Sequence, residues 1–302
     1  MKPKSSVIID CDNTYGIPGH PIDDGQAIAY LAGRPEVEIV GISCTYGNGS
    51  VDEVFDATRW LVEALGLDGL SVLKGASGPG DYDTEAASWL ARQASDQAGA
   101  VSLLAIGTMS NLLGAKRKDP RFFSNLRGIA AMGGYLYPLP IRGWNRVPEL
   151  NLSRDPMATA AVLEVECPVT IMSAQICLQA PFGIDELRPI AEFDRPSYFY
   201  MLSYLSDVIR RHEGATEFLW DLLPAAYLSF PELFHDNEAR LSAEPSRLAL
   251  GLLEEDSGGP KVNLPDYIID VDAFYSLLYE SWKRAPLRSV TGLKGFPFWG
   301  RQ

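Results

Sequence analysis

VIIDCDNTYGIPGHPIDDGQAIAYL, residues 7–31, is the stretch that decides the fold. An apolar run from Val7 to Ile9 ends in Asp10 and Asp12, and Asp23 and Asp24 open a segment with apolar residues at helical spacing. The first part reads as a buried strand, the second as a helix with acids in its first turn and Gly33 just past its end. These carboxylates crowd one strand-to-helix turn, where like charges repel and raise each other's pKa. A polar turn does not need them. A cation or a protonated partner would remove the repulsion.

Outward from this unit, strand and helix patterns alternate. VEIVGISCT, LSVLKG, AVSLLAIG, LRGIAAMGG and PVTIMSAQI read as strands. VDEVFDATRWLVEALG, DTEAASWLARQA, MSNLLGAKRK and DPMATAAVLEV read as the helices between them. The alternation predicts right-handed βαβ units and a mostly parallel, Rossmann-like open α/β sheet with helices on both faces. From about Arg195 the texture changes. PSYFYMLSYLSDVIRRH and ATEFLWDLLPAAYLSFPELF read as two long aromatic-rich helices, a helical cap over about 195–240, and YIIDVDAFYSLLYESWKR as a strand entering a last helix. No linker or repeat divides the chain, so a single domain over 1–302 is expected.

The net charge of −13 argues against a nucleic-acid surface and against an anionic membrane. No apolar run reaches the ~18 residues of a membrane span. The four cysteines, Cys11, Cys44, Cys167 and Cys177, form no C-x-x-C pair and read as reduced thiols. A cytoplasmic protein is expected.

Ligands of open parallel sheets bind beyond the carboxyl ends of the strands. The conspicuous polar residues fall there: Asp10 and Asp12 after the first strand, Asn48 after the second, Asn111 after the fourth, and Asn145, Glu149 and Asn151 after the fifth. Two chemistries compete for DCDNT. In a haloacid-dehalogenase-like phosphatase, Asp10 would accept phosphoryl, Asp12 act as acid and base, and Thr14 contact phosphate beside magnesium. That reading leaves Asp23 and Asp24 unexplained.

The second reading uses all the acids. DCD with DDGQAIA resembles the signature of the inosine–uridine preferring nucleoside hydrolases, leaning to their purine-specific branch. TYGN with Asn48, GTMSN preceded by Ile106, PELNLSRDP with Glu149, Asn151 and Asp155, and LWDLLPAAYLSFPELF with Asp221 resemble further family segments, in family order. The resemblance implies the nucleoside hydrolase fold and a calcium ion held by Asp12, Asp24, Asp221 and the Ile106 carbonyl. Such a set of hard oxygens suits an ion that takes six to eight of them. It also implies Asp12 as general base towards a calcium-acidified water, with Asp10 behind it orienting the cluster. Asp23, Asn48, Asn145, Glu149 and Asn151 would hold ribose hydroxyls, and Trp220, just before Asp221, would stack on a purine. The implied activity is calcium-dependent hydrolysis of a ribonucleoside N-glycosidic bond by a homodimer or homotetramer. A hydrolase of another N-riboside, or a ribose-binding homologue with weak turnover, would use the same residues.

The sequence departs from that pattern in an insertion, NTYGIPGHPI, between Asp12 and Asp23. Its turn formers predict a loop bulging over the pocket, with His20 either touching substrate or solvated. Tyr82 and Trp144 are candidate second stacking partners. His212 is the foremost histidine candidate for a leaving-group acid. Trp60 and Trp89 read as core, and Trp282 and Trp299 as possible subunit contacts.

Overall fold

The computed structural model describes residues 5–139, 149–212 and 216–288. Six strands follow the predicted runs: β1 (Ser5–Cys11), β2 (Val37–Cys44), β3 (Ser71–Lys74), β4 (Val101–Ala105), β5 (Gly128–Met132) and β6 (Val169–Met172). Short strands β7 (Pro181–Phe182), β8 (Glu217–Phe218), β9 (Phe234–His235), β10 (Glu238–Arg240), β11 (Lys261–Asn263) and β12 (Tyr267–Ile268) come later. The main sheet has the order β10-β11-β6-β5-β4-β1-β2-β3 and is parallel except where β10 meets β11. β1 is flanked by β4 and β2, which places its carboxyl end where the strand order reverses, the usual ligand position in such sheets.

Eleven α-helices accompany the strands among the described residues: α1 (Asp23–Ala32), α2 (Val51–Ala64), α3 (Glu85–Asp96), α4 (Ser110–Lys118), α5 (Pro156–Leu163), α6 (Ala174–Cys177), α7 (Ile184–Phe193), α8 (Arg195–Arg211), α9 (Leu222–Ser229), α10 (Pro245–Leu248) and α11 (Val271–Arg284). Two apolar cores result, one on each face of the sheet. One joins Ile9 and Ile42 to residues of α1, α2, α9 and α11, and the other joins Ile8, Leu103 and Ile129 to residues of α3, α4 and α5. Both faces of β1 are therefore covered, which is why Val7, Ile8 and Ile9 are apolar without alternation.

One helix reading changes. ATEFLWDLLPAAYLSFPELF is not one helix: Glu217 and Phe218 pair with Phe182 and Pro181 as β8, and α9 begins only at Leu222 with Pro224 in its first turn. The β-pairing outcompetes helix propensity there, and Pro is tolerated in a first turn but not in a helix interior. Trp282 is core rather than a subunit contact. It is buried against Phe182, and its indole N–H donates to the Gln26 carbonyl at 3.0 Å. Trp60 and Trp89 are buried as expected.

The insertion reaches the pocket wall through Pro21 and is at the same time tied into the core. Tyr15, Ile17 and Ile22 are buried, and the Tyr15 ring stands 6.5 Å from Trp60 and 6.0 Å from Tyr200 of α8. Thr14 closes the loop by donating to the Pro21 carbonyl at 2.8 Å. Gly25 is required beneath it, since a Cβ there would lie 2.3 Å from that of Tyr15.

Candidate active site

The acids converge at the carboxyl end of β1. Asp10 is wholly buried, with Oδ1 accepting from Ser43 Oγ at 2.5 Å and Asn111 Nδ2 at 2.8 Å. Asp12 Oδ2 accepts from the Asn48 backbone N–H at 2.6 Å, and the Asp12 N–H donates to Asp24 Oδ1 at 3.1 Å. Asn48 Nδ2 donates to the other oxygen of Asp24 at 3.2 Å. Asp23 and Asp24 occupy the first turn of α1, whose positive end favours anions. Asp221 reaches the same place from just before α9.

Oxygens of Asp23, Asp24 and Asp221 lie within 4.8 Å of one another. Burial raises the pKa of Asp10 to about 7, of Asp12 to about 8 and of Asp23 to about 7. Asp24 and Asp221 are pushed well above the ordinary range, by burial first and then by their acidic neighbours. Asp10 Oδ2, Asp12 Oδ1 and Asp23 Oδ1 are buried and accept no hydrogen bond. Buried carboxylates without donors are costly unless paired with a cation. The donor set is all hard oxygen, so these residues fit a divalent ion of the calcium or magnesium type.

The close set differs in one member from the expected ligands: Asp23 stands in it, while Asp12 is joined to it through Asp24. Ile106 is buried just past β4, and its N–H donates to the Asp10 carbonyl at 2.8 Å, which holds its peptide against the cluster.

Beside the acids opens a cavity of about 150 Å³ bordered by Asp23, Asn48, Glu149, Asn151, Trp220 and Asp221. Asn151 is anchored by donating to the Met132 carbonyl at 3.1 Å. Glu149 borders the cavity with its carboxylate accepting the backbone N–H groups of Gly134, Asn151, Leu152 and Ser153 at 2.6–3.3 Å. It thus fixes the loop that carries Asn151. Asn145 and Trp144 lie outside the described residues, as does Trp299. Asp155 is not at the cavity. It caps α5 and accepts from Ser110 and Tyr82. Tyr82 is occupied there, with Arg117 over its ring at 4.1 Å, so it is no stacking partner in this arrangement.

No described histidine borders the cavity. His20 bonds the Asn48 carbonyl through Nδ1 at 3.0 Å, and His235 bonds Asp266 at 2.9 Å. Pro21 is the insertion's contribution to the wall. Tyr135, Tyr204 and Glu217 also border the cavity, and no motif in the sequence marks them. For Glu217 no sequence signal existed, because its position depends on the β7–β8 pairing.

A carboxylate cluster that could hold a hard cation, at the switch point of a parallel sheet and beside a cavity, is the arrangement expected of a metal-assisted hydrolase. The family model for inosine-uridine preferring nucleoside hydrolases matches residues 7–276, and the chain belongs to that family. It is therefore an N-glycosyl hydrolase of ribonucleosides, and the phosphatase reading of DCDNT falls. Thr14, its phosphate contact, is turned to the Pro21 carbonyl instead.

Uridine nucleosidase 1 of Arabidopsis thaliana is 28% identical over an alignment spanning 60% of each chain. The inosine-uridine preferring nucleoside hydrolase of Crithidia fasciculata is 22% identical over 92% of this chain and 97% of that one. Among solved structures, a plant nucleoside hydrolase superposes with a TM-score of 0.80 at 20% identity, covering 93% of this chain and 99% of its own. The purine-preferring ribonucleoside hydrolase of Gardnerella vaginalis gives 0.78 at 21%, covering 92% and 98%. These structural likenesses carry the fold. The relatives' names include both purine and uridine preferences, so similarity does not choose the base.

Proposed function

We propose that this chain is a calcium-dependent ribonucleoside hydrolase with a preference for purine bases. The observation that carries the reading is the placement of Asp23, Asp24 and Asp221 within 4.8 Å of one another on one side of a cavity that Trp220 also borders. When bound, calcium would supply the positive charge that lets the carboxylates ionise together, holds ribose hydroxyls and acidifies a water.

The chain's own residues do the rest. Asp23, Asn48, Glu149 and Asn151 hold the ribose hydroxyls, with Asn145 assigned the same role, and Glu149 also keeps the Asn151 loop in place. Asp12 is braced by the Asn48 N–H on Oδ2, and its Oδ1 takes the proton of the water that attacks the anomeric carbon. The carbon–nitrogen bond breaks, its electron pair leaves with the base, and the base takes up a proton. Asp10 sets the backbone of the cluster through Ser43 and Asn111. The ionised acids stabilise positive charge developing on the sugar. Trp220 offers a stacking face to a bicyclic base, which supports the purine preference.

The test is release of reducing sugar from a panel of purine and pyrimidine ribonucleosides, in calcium and in chelator, with Asp12→Ala as control. Release by the wild type in calcium alone, fastest on purines, is expected. Release that persists in chelator removes the calcium assignment, and pyrimidines cleaved faster remove the purine preference. Assembly as a homodimer or homotetramer is part of the same proposal, and its measurement is the mass in solution.

A further inference from the structure

The cavity wall contains a buried carboxylate that takes no part in the proposed hydrolysis. Glu217 is 7% exposed and sits in β8, held by pairing with β7. Its Oε1 accepts the Phe218 backbone N–H at 3.0 Å and the Trp220 indole N–H at 2.8 Å. Its Oε2 accepts the Tyr204 hydroxyl at 2.5 Å. Tyr204 and Trp220 border the same cavity, yet one comes from α8 and the other from the turn into α9. One carboxylate therefore ties together two aromatic side chains from separate elements.

The Trp220 ring is further packed by Phe218, at 5.3 Å between centroids and 61° between planes. Stacking rewards a ring only if it is already held in the orientation the ligand needs, since ordering it on binding costs affinity. Hydrogen bonds to a carboxylate are stronger than neutral ones and directional, so Glu217 can fix the indole about its ring torsion.

Resting on the nucleoside hydrolase reading, we propose that Glu217 is a positioning residue for the leaving base. It clamps Trp220 and Tyr204 as a preformed aromatic surface, and the clamp selects bicyclic bases over monocyclic ones. A purine offers more area to that surface than a pyrimidine, so loosening the ring penalises purines first.

The experiment is steady-state kinetics on inosine and uridine, in calcium, for wild type, Glu217→Gln, Trp220→Phe, Tyr204→Phe and the Glu217→Gln/Trp220→Phe double variant. Glutamine keeps the volume and one carbonyl acceptor but cannot accept at both ends. Phenylalanine at 220 keeps a ring and removes the indole donor. The clamp predicts that Glu217→Gln lowers kcat/KM for inosine about tenfold more than for uridine, the scale of one charged hydrogen bond. The loss should fall on KM. Tyr204→Phe should move the ratio in the same direction, and the double variant should be little worse than the worse single one, because both singles cut the same tie. Equal losses on the two nucleosides, or additive losses in the double variant, overturn the clamp and leave the hydrolase reading standing. If the wild type cleaves neither nucleoside, that reading fails. The clamp is then decided by calorimetric titration with inosine: non-additive losses of affinity sustain it, and additive losses or no binding overturn it.

Discussion

Gly47 leaves the space that the Asp12 carboxylate occupies: a Cβ on Gly47 would lie 1.9 Å from Asp12 Oδ2 and 2.9 Å from its Cγ. The next residue, Asn48, donates its N–H to that same oxygen at 2.6 Å. The glycine of TYGN is thus a requirement of close approach. Gly47→Ala must displace either the loop or the proposed base. Misplacement of about 1 Å can cost about 100-fold in rate, so kcat/KM should fall at least that far. Gly78→Ala, where the added Cβ meets nothing within 4 Å, should be silent. A Gly47→Ala enzyme with a wild-type rate would mean that Asp12 is not the base.

Asp12 and Asp221 come to the cluster from distant parts of the chain, and the proposed reaction needs them for different reasons. Asp12→Asn keeps the shape and removes proton acceptance, a loss of about 100- to 10,000-fold for a general base. Asp221→Ala removes a carboxylate from the close set and should abolish turnover at ordinary calcium concentrations. Reducing-sugar assays on both variants check this, and near-normal turnover in either would sink the site assignment.

The acidic cluster was legible because its members lie in short contiguous motifs at strand ends, where chain topology alone brings them together. Asp12, Asp24 and Asn48 need only the β1–β2 neighbourhood, and Asp221 needs only its motif. Glu217 and Tyr204 were not legible, since they meet through the β7–β8 pairing, and the run from 215 to 234 has the composition of a helix. The insertion's Gly and Pro mark its turns, with Gly16 and Gly19 at positive φ, but nothing in their pattern signals that Tyr15 enters the core.

Trp220→Ala removes the proposed stacking face while leaving Asp221 just before α9. Inosine should lose more than uridine in kcat/KM, by about tenfold if stacking is worth about 1–1.5 kcal/mol beyond simple burial. An equal effect on both substrates, measured side by side, would make Trp220 a packing residue.

Tyr15 links the insertion to α2 and α8, so its loss should be felt in stability before activity. Tyr15→Ala, which removes a large buried aromatic, should cost about 3–5 kcal/mol. Tyr15→Phe, which keeps the ring and loses the hydroxyl, should cost about 1 kcal/mol. Urea denaturation of both variants checks the pair. Equal and small effects would show that the insertion is held by Ile17 and Ile22 alone.

The raised carboxylates make metal-free stability depend on pH with a definite sign. Asp10 and Asp23 titrate near 7 and Asp12 near 8 in the fold, against 3.8 for an ordinary aspartate. Below pH ~4 these groups are protonated folded and unfolded alike. As pH rises from there to about 8, the unfolded chain sheds protons that the fold retains, so the unfolded state binds fewer protons and stability falls. Their stabilising contribution is therefore full at the acid end and lost as pH passes through 7 to 8. The proposed calcium would need the ionised carboxylates and displace those protons, so its effect should grow over the same window. In chelator, the melting temperature should decline from pH 5 to pH 8 through these groups, and added calcium should raise it more at pH 8 than at pH 5. A calcium-induced shift of equal size at both pH values would mean that the ion binds somewhere other than this cluster.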